Sequence, residues 1–236
     1  MRVLLTRPLD AAHDTAAELR SRGHDAIIEP LLTIIIEQGP PLDTGRYARL
    51  VLTSANGARA AATRMADREI PVLAVGPATA AEALALGFTQ VTEADGNGIE
   101  GIVSALARLP ANGNRPLLHV AGTDVAGDLA AQARKLGLNL ERMTLYRAVA
   151  ADALSDQTRE ALKAGHIEAA MFFSPRTAEI FARLAHEAGI GEHLGHVRAC
   201  VISQNAAKAL KSLTFGKVLV AQQTTASAMV DLLDDL

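Results

Sequence analysis

The sequence predicts an α/β fold made of two similar, doubly wound parallel-sheet domains that descend from an internal duplication and are joined by a two-segment linker. Three observations carry this. Residues 115–147 are a second copy of residues 2–32: at a constant offset and without a gap, Leu4/Leu118, Asp10/Asp124, Ala12/Ala126, Asp14/Asp128, Ala16/Ala130, Ala17/Ala131, Arg20/Arg134, Gly23/Gly137 and Leu31/Leu145 are identical. Each copy is followed by three strand-turn-helix units. A Gly/Pro break (EQGPPLDT, 37–44) and a polar-leaning run (150–156) separate the copies from those units.

Taken in order, RVLLTRP (2–8) reads as a buried parallel strand, and Asp10 is expected to cap a helix that Gly23 stops. A single apolar segment follows over 26–36. The next units are LVLTSANGARAAATRM (50–65), VLAVGPATAAEALAL (72–86) and QVTEADGNGIEGIVSALARL (90–109). Strands alternating with helices in this way imply a parallel sheet covered on both faces. The second β-α-β copy ends at Leu145, Tyr146 and Arg147, and three further units recur over 169–184, 198–213 and 217–233. Ser54 falls opposite Ser174, Gly76 opposite Ser203, and Gly98 opposite Thr225. With A for β-α-β and B for three strand-helix units, the chain reads A1-B1-A2-B2. The residues leave open whether A1 packs on B1 or on B2, and the two breaks favour B2, with B1 and A2 forming an inserted domain.

Composition excludes several classes. A chain of 236 residues with 49% hydrophobic and 21% charged content is globular, and no apolar run approaches a membrane span. The start, MRVLLTRP, has too short an apolar stretch for a signal peptide, so a cytoplasmic location is expected. A net charge of −3 with no Trp, two Tyr and five Phe argues against nucleic acid as a partner. The lone cysteine, Cys200, sits in an apolar strand and reads as buried and inert.

Gly96-Asn97-Gly98-Ile99-Glu100-Gly101 matches a dinucleotide fingerprint literally, yet the next strand, LLHVAG, ends without the required acid. A Gly-rich turn opening a helix is the better reading. His186, His193 and His196 match no zinc spacing, His119 reads as a satisfied core or edge histidine, and the acidic ending DLLDDL reads as a solvated face. Ser54 and Ser174 lack any nucleophile context and read as helix caps, as do Thr79, Thr224 and Thr225. Caps at the carboxyl ends of parallel strands form a rim of neutral donors suited to a ligand rich in carboxylates. Arg7, ending the first strand, either meets such a carboxylate or bridges to a neighbouring acid. Tyr146 lies at a predicted domain crossing, where its hydroxyl has access to a cleft.

The order and spacing of VLLTRP, TSANGA at Ser54, AVGPATA at Gly76, ADGNG at Asn97, LERMTLYR at Tyr146, FFSPRTAE at Ser174 and the closing strand before Thr225 resemble the uroporphyrinogen-III synthase family over essentially the whole chain. Ser203 and Ala206 stand where that family usually has Gly and Thr, and QQTTAS lacks its proline. The resemblance implies two flavodoxin-like domains in the inserted arrangement, 1–35 plus 150–236 and 38–147, with linkers near 36–37 and 148–149. It further implies a cofactor-free, metal-free enzyme that closes linear hydroxymethylbilane into uroporphyrinogen III in an interdomain cleft. The terminal pyrrole is inverted and water is lost, mainly through conformational restraint. Tyr146 is then expected to assist departure of the hydroxyl. The substrate-binding positions expected are Arg7, Ser54, Ala55, Asn56, Gly76, Thr79, Asn97, Gly122, Ser174, Pro175, Gln204 and Thr225. A monomer is expected, with a transient contact to the enzyme that forms hydroxymethylbilane. The rival readings are a two-lobed cytoplasmic small-molecule sensor without catalysis and a two-domain nucleotide-sugar transferase. The transferase would need diphosphate ligands that these turns do not offer.

Overall fold

The computed structural model describes residues 1–94, 98–108, 115–124 and 127–234, with the side chains of 98–100 left aside. Asn97 and most of the Gly-rich turn lie outside the described residues. The chain divides into two compact units, Met1–Thr33 with Val149–Leu236, and Ile34–Ala148.

The first unit holds β1 (Arg2–Leu5), α1 (Leu9–Ser21), β2 (Asp25–Ile28), α6 (Asp156–Lys163), β9 (Ala169–Phe172), α7 (Pro175–Glu187), β10 (Arg198–Val201), α8 (Gln204–Ala209), β11 (Lys217–Val220) and α9 (Ala226–Asp231). Its sheet runs β11-β10-β9-β1-β2, with every pair parallel. β9 is buried at all of its positions, as a strand covered on both faces requires. On one face Val3, Leu5, Met171 and Cys200 pack against Ala16 and Leu19 of α1 and Met229 and Val230 of α9. Burial pushes the Cys200 thiol up to about 12, which keeps it protonated and unreactive. Phe172, Phe181 and Phe215 pack together, with Phe172 and Phe181 edge to face at 5.1 Å.

The second unit holds β4 (Arg49–Leu52), α2 (Ala55–Arg64), β5 (Val72–Val75), α3 (Gly76–Ala85), β6 (Val91–Ala94), α4 (Gly98–Ala107), β7 (Leu117–Gly122) and α5 (Leu129–Lys135). The chain passes from one unit to the other within β3 (Leu32–Ile36) and within β8 (Leu140–Ala150). The sheet order is β3-β8-β7-β4-β5-β6. Each sheet therefore unites one β-α-β copy with the three strand-helix units that follow the other copy. Removing β3 leaves β8-β7-β4-β5-β6, the counterpart of β2-β1-β9-β10-β11, with the chain order permuted.

The duplication extends to atomic detail. α1 ends with Gly23 N–H donating to Arg20 O and His24 N–H to Leu19 O, and α5 ends with Gly137 N–H on Arg134 O and Leu138 N–H on Ala133 O. Both glycines adopt left-handed φ, 77° and 73°. The helix starts differ. Asp10 is not a cap: Pro8 occupies that place without a side-chain bond, and Asp10 sits inside the first turn, where its charge favours the helix dipole. Asp128 does cap the shorter α5, accepting from Ala131 N–H at 2.9 Å.

Two further expectations are corrected. The apolar run 26–36 is two strands in two different sheets, broken where Pro30 lacks a donor. The acidic C-terminal face is not simply solvated. Arg22, at the end of α1, pairs with Asp231 at 2.8 Å and Asp234 at 2.6 Å, drawing α9 onto α1. Among the described residues no helix is long and apolar enough to cross a membrane.

Candidate functional site

In open parallel sheets ligands bind beyond the carboxyl ends of the strands, at the point where strand order reverses. In the first unit that point lies between β1 and β9. Thr6 ties the two strands there, its hydroxyl donating to Met171 O at 2.7 Å. Arg7 follows directly. Its guanidinium lies 4.2 Å above the Phe173 ring and donates to Thr15 Oγ1 at 2.9 Å, so it is held by an aromatic face and a hydroxyl rather than by a bridge to an acid. Burial lowers its pKa, partly offset by the charge of Asp14.

Beside Arg7, Ser174 caps α7, accepting from Thr177 N–H at 3.1 Å, and Pro175 fills the first helical turn. Ser203 caps α8 at 3.3 Å with Gln204 as its first residue, and Thr225 caps α9 at 3.2 Å. Thr224 does not cap, since Thr225 holds that position. β9, β10 and β11 are thus each followed by a hydroxyl-bearing turn on the same sheet end.

In the second unit the order reverses between β7 and β4, and here the sequence-predicted residues converge. Ser54 caps α2, accepting from Gly57 N–H at 3.1 Å, with Ala55 and Asn56 opening the helix and Asn56 Oδ1 accepting from Arg59 at 3.3 Å. Ser54 Oγ also lies 2.7 Å from the Tyr146 hydroxyl. A bulge makes this meeting possible: β7 and β8 pair Ala121 with Thr144 but Gly122 with Tyr146, so Leu145 is the extra residue. Tyr146 thereby lies flat against Gly122, where a Cβ would stand 2.7 Å from Tyr146 Cε2. Gly122 is glycine because the ring occupies the space of a side chain.

Gly76 opens α3 with φ 68°, a conformation that any other residue adopts only under strain. Thr79 is no cap, because it lies within α3 and is 5% exposed.

One residue escaped the sequence reading, and another, His119, is the satisfied core histidine that the sequence predicts. Arg142 of β8 donates to Gly122 O at 2.7 Å and Thr123 O at 3.0 Å, satisfying two carbonyls at the end of β7. The only signal for it is a cation at an exposed strand position. His119, buried on β7, shares a 3.1 Å hydrogen bond with Thr53, the residue before Ser54. Burial and the nearby Arg142 charge push its pKa down to about 4. Among the described residues no group of three or more His, Cys, Asp or Glu side chains is placed to hold a metal ion.

The family model for uroporphyrinogen-III synthase HemD matches residues 13–231. The chain belongs to that family. A search of curated proteins returned no match. Among solved structures, the uroporphyrinogen-III synthetase from Helicobacter pylori 26695 is similar over 100% of this chain and 99% of its own, at 15% identity and a TM-score of 0.67. That likeness shows the shared synthase fold. A mutant uroporphyrinogen III synthase from the extremely thermophilic bacterium Thermus thermophilus aligns over 99% of this chain and 98% of its own, at 15% identity and a TM-score of 0.49. The sensor reading has no support from the family match.

Proposed function

We propose that the chain cyclises linear hydroxymethylbilane to uroporphyrinogen III, losing water and inverting the terminal pyrrole, mainly by restraining how the substrate folds. The family match over residues 13–231 carries this reading. In this reading its domains are 1–35 with 150–236 and 38–147, and it works in the cytoplasm as a monomer that meets the hydroxymethylbilane-forming enzyme transiently.

The substrate bears eight carboxylates, and the expected binding positions of the two units are matched to them. Arg7, Ser174 and Pro175, Gln204 and Thr225 serve one part of the chain of pyrroles. Ser54 to Asn56, Gly76, Thr79, Asn97 and Gly122 serve another. Each carboxylate held removes conformations in which the unsubstituted carbon of the terminal ring reaches the reacting methylene, so binding energy becomes selectivity.

Loss of the hydroxyl leaves a stabilised azafulvene cation, which asks for modest acid help only. Ser54 Oγ accepts from Gly57 N–H. When Ser54 donates its own proton to the Tyr146 oxygen, the phenolic O–H is free for the departing oxygen. That proton completes the water as the C–O bond breaks. The substituted carbon of the terminal ring then attacks to give a spiro-pyrrolenine. After rearrangement the ring carbon releases a proton, which restores Tyr146 through solvent.

Tyr146→Phe keeps the ring on Gly122 and removes only the O–H, so kcat falls by about tenfold with KM unchanged. Unaltered kcat removes Tyr146 from the chemistry. In Thr225→Val the lost hydroxyl contact raises KM by about fivefold, and Thr225→Ser restores it. A wild-type KM in the valine variant removes Thr225 from the binding set. The reading as a whole is tested by giving the purified chain hydroxymethylbilane and separating the product isomers. Uroporphyrinogen III is expected, and product at the spontaneous isomer composition refutes the reading.

A further inference from the structure

We infer that the open edge of β2 is a docking groove for an extended, carboxylate-bearing segment of a partner protein, which adds to the first unit's sheet as a sixth strand. Among the described residues β2 ends that sheet and pairs with β1 alone. The phase of the ladder follows from Asp25 N–H donating to Met1 O and Glu29 N–H to Leu5 O. In a parallel pair, alternate residues face the same neighbour, so Asp25, Ile27 and Glu29 face β1. The N–H and C=O of Ala26 and of Ile28 therefore point outward, at the spacing a strand requires. Unpaired edges of this kind are the template for strand addition.

The edge is also seated in a cavity of about 600 Å³. β2 forms its floor, α1 contributes His13 and Arg20 to one wall, and α6 contributes Gln157 and Ala161 to the other. An incoming strand sends successive side chains to opposite faces. Its alternate residues therefore meet the cationic wall on α1 and the small, neutral wall on α6.

The charge of the groove selects the occupant. On the α1 wall Arg20 is the charged residue and no acid is among the lining residues there, which makes that wall positive on a chain whose net charge is −3, whereas Arg2 lies in register with Asp25 on the sheet face opposite to Val3 and Leu5. Arg20 commits only its Nε, to Ala16 O, and no carboxylate pairs with either guanidinium among the described residues. A segment with acids at every second position, separated by small residues, satisfies both the backbone edge and the α1 wall. A free small anion engages the arginines but leaves the outward amides unused.

The test uses a fluorescein-labelled, end-blocked peptide, Glu-Ala-Glu-Ala-Glu-Ala, titrated with the full chain and read by anisotropy. Saturable binding is expected, with roughly tenfold weaker binding by Arg20→Glu. A Lys-Ala peptide and a Glu-Ala peptide with its central amides N-methylated should both fail to bind. Arg20→Glu lies outside the synthase site, so its cyclisation rate should equal wild type, which also reports correct folding. Three results overturn the inference. One is no saturable binding, and another is equal binding of the N-methylated peptide, which would mean simple anion capture. The third is concentration-dependent dimerisation that Ile28→Pro abolishes, which would make the occupant a second copy of this chain.

Discussion

Glu29→Ala lowers the unfolding free energy by about 3 kcal/mol, one of the two largest effects expected of any single change here. Glu29 is 6% exposed, and its carboxylate accepts from Ser155 N–H at 2.9 Å and from the Ser155 and Thr158 hydroxyls at 2.5 Å each. Ser155 is itself the cap of α6, accepting from Thr158 N–H. The acid thus completes a capping arrangement from a point 126 residues away in sequence. Alanine leaves the buried Thr158 hydroxyl without its acceptor and removes the partner of two donors of the exposed Ser155. Glu29→Gln keeps one acceptor oxygen and should recover part of the loss. Urea denaturation of the three proteins measures this, and a shift below about 1 kcal/mol for alanine would mean that water replaces the carboxylate.

His119 gives the second large effect. Its folded pKa of about 4 lies below the ordinary histidine value of 6.5. As pH falls through this window the unfolded chain takes up the proton first, so stability is fully present above pH 6.5 and is lost toward pH 4. The loss from this one group is about 3 kcal/mol between pH 7 and pH 4. The carboxylates add their own acid dependence, so the comparison is with His119→Gln, which keeps a polar group near Thr53 and has no proton to gain. The gap between wild type and variant should close by that amount across the window. A constant gap would show that His119 is hydrated in the folded protein.

Much of the fold was legible because it is local. The paired Gly stops at Gly23 and Gly137, the caps at Ser54, Ser174 and Thr225, and the strand-helix alternation are properties of short stretches. What stayed hidden is long-range. Nothing in residues 29 and 155 announces that they meet, and the division of 26–36 between two sheets depends on which strands take its halves as neighbours. The Asp10 and Thr79 caps were misread because composition at a turn does not fix where the first helical residue falls. In the site, Ser54, Gly122 and Tyr146 were each visible singly, yet their convergence depends on one bulge at Ala121/Gly122. Arg142 was invisible because its role is to satisfy two backbone carbonyls, and a sequence does not show which carbonyls need a donor.

The central claim is that isomer choice comes from holding the substrate and rate comes partly from Tyr146. The isomer composition of the product made by Tyr146→Phe separates the two most directly. The account predicts slower turnover with uroporphyrinogen III still the product. A shift toward the uninverted isomer in step with the fall in rate would contradict it, because selectivity would then reside in the proton donor.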